Sequence, residues 1–207
     1  PNNKYSEDAM LMGAEMAYTA KDYEKALHIY KQLKDKAASM ERRQLAKTGM
    51  LRSAHMLGNE EEIIFTATDL LADTKLAPEL SNEAHYYRAK AYLDAGKTDG
   101  AMEDLKVLAK DTRNVYGAEA KYKVAQIYFD GGQTDKAEQE VLNYIEVSTP
   151  HTYWLARSFV LLADVYMKLG RNLDAKQYLL SLKQNYQADD DIAGMIESRL
   201  EKLKTEN

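Results

Sequence analysis

Small and apolar residues recur along the chain at steps of three and four, and the pattern itself repeats. Five segments share it: TAKDYEKALHIYKQLKD (19–35), LGNEEEIIFTATDLLAD (57–73), AGKTDGAMEDLKVLAK (95–110), GGQTDKAEQEVLNYIEV (131–147) and LGRNLDAKQYLLSLKQNY (169–186). In each, a Gly or polar turn precedes an acidic residue, and a small or aliphatic residue stands five places after the turn. An apolar residue follows four later and another three after that. Those steps trace one face of a helix. The turn anchors Lys21, Gly58, Gly96, Gly132 and Gly170 lie 37, 38, 36 and 38 residues apart. Near-constant spacing over five copies marks a repeat architecture.

The half before each turn repeats as well, as AMLMGAEMAYTA, KTGMLRSAHML, HYYRAKAYLDA, KYKVAQIYFDG and FVLLADVYMKL. A small residue stands seven before the anchor at Ala14, Ala89, Ala125 and Ala163, with Leu51 in the second copy. Three residues on comes Ala17, Ala54, Tyr92, Tyr128 or Tyr166. Each unit therefore reads as helix A, a tight turn and helix B. The small residue on helix A lets two backbones approach. A Gly after helix A is expected in the left-handed conformation, which costs Gly least.

This pattern resembles the tetratricopeptide repeat (TPR) family: apolar–small–x–x–Tyr, then Gly–x–x–x–x–Ala, then an aromatic or aliphatic residue four later and a closing small or apolar residue. The resemblance covers roughly residues 5 to 186. The second copy departs most, with Leu51, Ile63 and Ala67 where small, small and aromatic residues are usual. The expected fold is all-α: a right-handed α-α superhelix of about five helix pairs in one domain over 1–207, with repeats near 5–40, 41–76, 78–113, 114–149 and 150–187. Residues 189–204 stand outside the register. Ile192, Ile196, Leu200 and Leu203 give this segment one apolar face, and Asp189 to Asp191 offer an N-cap. It fits the amphipathic lid that a solenoid's last repeat needs. No equivalent precedes Tyr5, so the N-terminal end is expected to adjoin further repeats or to be covered by another chain, with self-association through it as one outcome.

The stretch HTYWLARSFVLLADVYMKLGR (151–171) holds the only Trp. It reads as helix A of the fifth repeat, capped by Thr149 with Pro150 at its first position. Trp154 is expected to pack on the preceding helix B near Tyr144 and Val147 rather than to bind a ligand.

Composition narrows the function. Formal net charge is −5 and no Lys/Arg block occurs, which argues against nucleic acid. Absence of Cys excludes disulfides and thiolate metal sites. No apolar run spans a membrane. There is no H-E-x-x-H, no phosphate-binding Gly loop and no G-x-S-x-G. His28, His55, His85 and His151 lie on different repeats without metal-ligand spacing. The expectation is a non-enzymatic chain with no cofactor or metal.

What remains is binding. In TPR proteins, A helices line a concave surface where ligands lie, and the resemblance carries that over by register. Groove positions are Leu11, Glu15 and Tyr18, then Thr48, Arg52 and His55, then Tyr86, Lys90 and Leu93. They continue as Tyr122, Gln126 and Phe129, then Val160, Asp164 and Met167. Arg52, His55, Tyr86, Lys90, Tyr122, Gln126 and Phe129 form the candidate partner site, with Tyr86 and Tyr122 read as unneeded by the repeat core. Tyr and Arg are frequent interface anchors. Leu11 and Glu15 stand where some TPR domains clamp a peptide carboxylate, so the resemblance does not extend to that clamp. The implied function is a scaffold or adaptor for a protein or peptide partner. The alternative is a structural, self-associating segment of a longer repeat protein. The fourth and fifth repeats resemble those of long bacterial cell-envelope TPR proteins, which implies a bacterial origin and the periplasm.

Overall fold

The computed structural model describes residues 4–205. Among them are eleven helices and no strand. They run α1 (Lys4–Thr19), α2 (Tyr23–Lys36), α3 (Met40–Leu57), α4 (Glu60–Leu71), α5 (Pro78–Asp94), α6 (Thr98–Leu108), α7 (Val115–Asp130), α8 (Thr134–Glu146), α9 (Thr152–Lys168), α10 (Asn172–Asn185) and α11 (Ile192–Thr205). The fold is that of five TPR-type helix pairs followed by one further helix.

Every A-to-B turn is built the same way. Residues 21, 58, 96, 132 and 170 have φ between 64° and 75°. The amide of the anchor donates to a carbonyl three residues back, as Gly132 N–H does to Phe129. The next amide reaches five back, as Gln133 N–H does to Tyr128. This paired capping satisfies two orphan carbonyls of helix A and turns the chain through one left-handed residue. Lys21 adopts that conformation despite its Cβ.

The helices gather into two compact units, one up to Asp104 and the other from Leu105 on. In the first, successive helices pack on each other and α3 also meets α1 and α5. Ala14, Ala26, Tyr30 and Met50 form one cluster; Leu51, Ala54, Ile63, Ala67 and Leu70 form another with Ala84 and Ala91. The divergent second repeat closes because Leu51 and Ile63 supply the volume that Ala67 lacks; all three are buried. Gly49 is required at the α2–α3 crossing: a Cβ there would lie 2.4 Å from the Tyr30 ring.

In the second unit, α9 contacts α7, α8, α10 and α11. Its core includes Ala125, Val141, Leu162, Ala163, Tyr166, Ala175 and Leu179. The lid face is buried as expected: Ile192, Ile196, Leu200 and Leu203 all join this core. Asp190 accepts a hydrogen bond from the Ile192 amide, so the helix begins after the three aspartates. Arg199 makes a two-pronged bond to Asp164 on α9.

Two local expectations need correction. Helix α9 starts at Thr152, not at Pro150. The Thr149 hydroxyl, read as the cap, accepts from the His151 amide before the helix and donates to the Thr112 carbonyl at 2.7 Å, tying two loops together. Trp154 packs against Tyr122 of α7, ring centres 5.7 Å apart, and against Tyr153. It therefore meets the preceding helix A, a neighbour of α9 not foreseen from the sequence, while α9 also packs on α8.

Candidate functional site

The A helices of the first unit carry Arg52, His55, Tyr86 and Lys90. Between α1 and α3 opens a cavity of about 410 Å³, lined by Leu11, Glu15, Tyr18, Thr48 and Arg52 with Tyr30 at its base. These lining residues are five of the positions that the repeat register assigns to a groove. Tyr30 reaches the base because Gly49 leaves room for its ring. Burial raises the Tyr18 and Tyr30 phenol pKa values above the usual one, so both remain hydroxyl donors across neutral pH. The cavity thus offers apolar walls, phenol donors, a carboxylate and a guanidinium.

Arg52 is exposed but not idle. Its Nε and Nη2 donate to both carboxylate oxygens of Glu83 at 2.6 and 2.8 Å. That fork holds α3 to α5 and fixes the guanidinium at the cavity edge. His55 stacks on Tyr87 at 4.2 Å. Burial lowers the His55 pKa and the Lys90 charge lowers it further, so the ring is neutral at pH 7. Tyr86 tilts against Tyr87, and the Lys90 ammonium lies 5.9 Å from the Tyr86 ring centre. The four candidates therefore lie along one aromatic and cationic run on α3 and α5.

The second unit treats its three candidates differently. Tyr122 is buried in the core cluster, which corrects the reading that the core does not need it. Its hydroxyl donates to Gln126 at 2.9 Å, and the Gln126 amide donates to Asp130 at 2.8 Å. The Lys168 ammonium covers the Phe129 ring at 5.1 Å. Arg157, absent from the sequence-based set, lies 5.1 Å from the Tyr122 ring centre and donates to Tyr153 and Asp191. This face is filled by its own side chains. Only the α7–α9 packing reveals that, since Arg157 and Tyr122 are 35 residues apart.

Among the described residues, no group of three His, Asp or Glu is placed to hold a metal ion. No helix is long and apolar enough to cross a membrane.

Residues 83–111 match a family model described as tetratricopeptide repeat, and residues 156–184 match a second model of the same description. The chain carries tetratricopeptide repeats. The two matches fall on α5–α6 and α9–α10, the third and fifth helix pairs. Several solved TPR-like structures share the fold. The crystal structure of the protein MamA aligns at a TM-score of 0.65 and 16% identity, over 88% of this chain and 96% of that one. A tetratricopeptide repeat protein from Parabacteroides merdae aligns at 0.58 and 15% identity, over 97% and 93%. A thermophilic TPR protein in Thermus thermophilus aligns at 0.51 and 18%, over 94% and 98%. No curated protein matches the sequence. At these identities the likeness concerns fold, and the TPR architecture makes the chain a protein-interaction scaffold in general terms.

Proposed function

We propose that this TPR chain is a non-enzymatic adaptor that binds a peptide or protein along the A-helix faces of its units. The observation that supports it is the α1–α3 cavity, whose lining of Leu11, Glu15, Tyr18, Thr48 and Arg52 matches the groove register. The run of His55, Tyr86, Tyr87 and Lys90 extends the same chemistry along α3 and α5. Aromatic residues with a polar end and a prepositioned Arg are suited to anchoring a partner. Tyr122, Gln126 and Phe129 contribute in the second unit mainly by shaping their face, with Gln126 and Phe129 at its surface. A bacterial envelope setting belongs to the same proposal and rests on the resemblance of the fourth and fifth repeats.

A second reading has its own support. Helix α1 exposes Tyr5, Met12 and Met16, an apolar surface suited to a second copy or a further repeat.

The test is affinity capture from native extract, with wild type beside a Leu11→Glu/Tyr86→Ala/Lys90→Glu variant shown to be folded by circular dichroism. Enrichment of a protein by wild type alone supports the A-helix site. Equal capture by both removes binding from that face. Concentration-dependent dimers in light scattering, abolished by Met12→Lys/Met16→Lys, would favour the second reading.

A further inference from the structure

The second unit contains a cleft that the A-helix reading does not use. It lies between α6 and α8 above α7 and has a volume of about 600 Å³, well inside the range of about 300–1,000 Å³ typical of ligand sites. Four cations line it: Lys106, Lys110, Arg113 and Lys121. Two are neutralised internally. Arg113 forks onto Asp111 at 2.8 and 3.0 Å, and Lys121 meets Glu140 at 3.0 Å. Lys106 and Lys110 have no ion-pair partner among the described residues, and one helical turn separates them. Lys136, exposed beside the cleft, has none either. The Tyr128 ring gathers two of these charges, with Lys106 at 5.6 Å and Lys136 at 5.4 Å from its centre. Aromatic faces attract cations, yet they leave the formal charges uncompensated. In a chain of net charge −5, this is a local concentration of the opposite sign.

The cleft is also preformed. Thr112 donates to the Ser148 carbonyl at 3.2 Å, and Thr149 donates to the Thr112 carbonyl at 2.7 Å. These two bonds staple the loops at one end. Gly117 lets α7 approach the same loop, because a Cβ there would lie 2.0 Å from the Asp111 carbonyl oxygen. Preformed walls lower the ordering entropy that binding must overcome.

We propose that this cleft binds an acidic peptide segment of a partner protein, with its Asp or Glu side chains reaching Lys106, Lys110 and Lys136 around Tyr128. The face of α8 beside it carries Asp135, Glu138 and Glu146. Those carboxylates repel an extended polyanion such as nucleic acid but leave room for a short acidic segment seated in the cleft.

The test is fluorescence anisotropy on the full chain with a labelled Asp/Glu-rich peptide, against its Asn/Gln counterpart. The acidic peptide should bind and the neutral one should not, and rising salt should weaken binding. Lys106→Gln/Lys110→Gln should weaken it about tenfold, and Lys106→Glu/Lys110→Glu further. Both variants are checked for helical content. The A-helix variant above should bind the acidic peptide like wild type, which separates this site from that one. No binding of the acidic peptide, equal binding of both peptides, or indifference to both lysine variants would overturn the proposal. Binding of polyphosphate or duplex DNA as tight as that of the acidic peptide would overturn the peptide assignment.

Discussion

Asp104 shows how one side chain ties local chemistry to stability. It is buried at the α5–α6 contact, where Arg88 donates to both its oxygens at 2.7 and 2.9 Å and His85 lies at 2.7 Å. Burial alone would raise its pKa, but the bonds from Arg88 and His85 outweigh that and hold it below the usual value. A depressed folded-state pKa stabilises the fold above the unfolded value of about 3.9. That stabilisation is lost as pH falls through the lower folded value. Urea midpoints should therefore drop as pH falls below about 4. Asp104→Asn should flatten this profile and cost about 1–3 kcal/mol at pH 7, because Arg88 loses its charged acceptor. An unchanged profile would show that Asp104 carries no such coupling.

At the scale of the helix pair, small residues set how close two backbones come. Ala163 on α9 and Ala175 on α10 are both fully buried in one core cluster, as Ala14 and Ala26 are on α1 and α2. The repeat register located these contacts without a structure. Ala163→Leu should overpack the α9–α10 contact and cost about 1–3 kcal/mol in chemical denaturation. A neutral result would mean that the pair can slide apart. The second pair shows the limit of pattern reading. Its sequence breaks the small-residue rule at Leu51 and Ile63, yet α3 and α4 still pair, since what must be conserved is the summed volume at the contact.

At the scale of the whole molecule, an array of repeats leaves its last hydrophobic face without a neighbour. Helix α11 covers that face with Ile192, Ile196, Leu200 and Leu203, and Arg199 bonds to Asp164. Truncation after Tyr186 should expose the underlying Leu161, Leu162 and Leu182 region. The expected loss is at least about 3 kcal/mol, with new binding of a hydrophobic dye. A truncated chain that melts like the full one would show that α11 is dispensable.

The sequence by itself determined the helical class, the five pairs, the turns and the lid. Those follow from near-neighbour rules: periods of three and four, Gly where the backbone turns left-handed, and small residues at fixed steps from it. The lining of the α1–α3 cavity falls on positions that the TPR resemblance assigns to the A-helix groove, but of these five only Arg52 stood in the candidate site. Only the tertiary structure decided which side chains are already occupied. Trp154 found Tyr122 on the preceding helix A, and Thr149 tied two loops while α9 began only at Thr152. Arg157 filled the face where Tyr122 was expected to stand open, and Lys106 and Lys136 met over Tyr128. These pairings join residues on different helices. A hydrophobic period specifies which face of a helix is buried, but the partner of a long polar side chain depends on how neighbouring helices cross, which no single segment encodes.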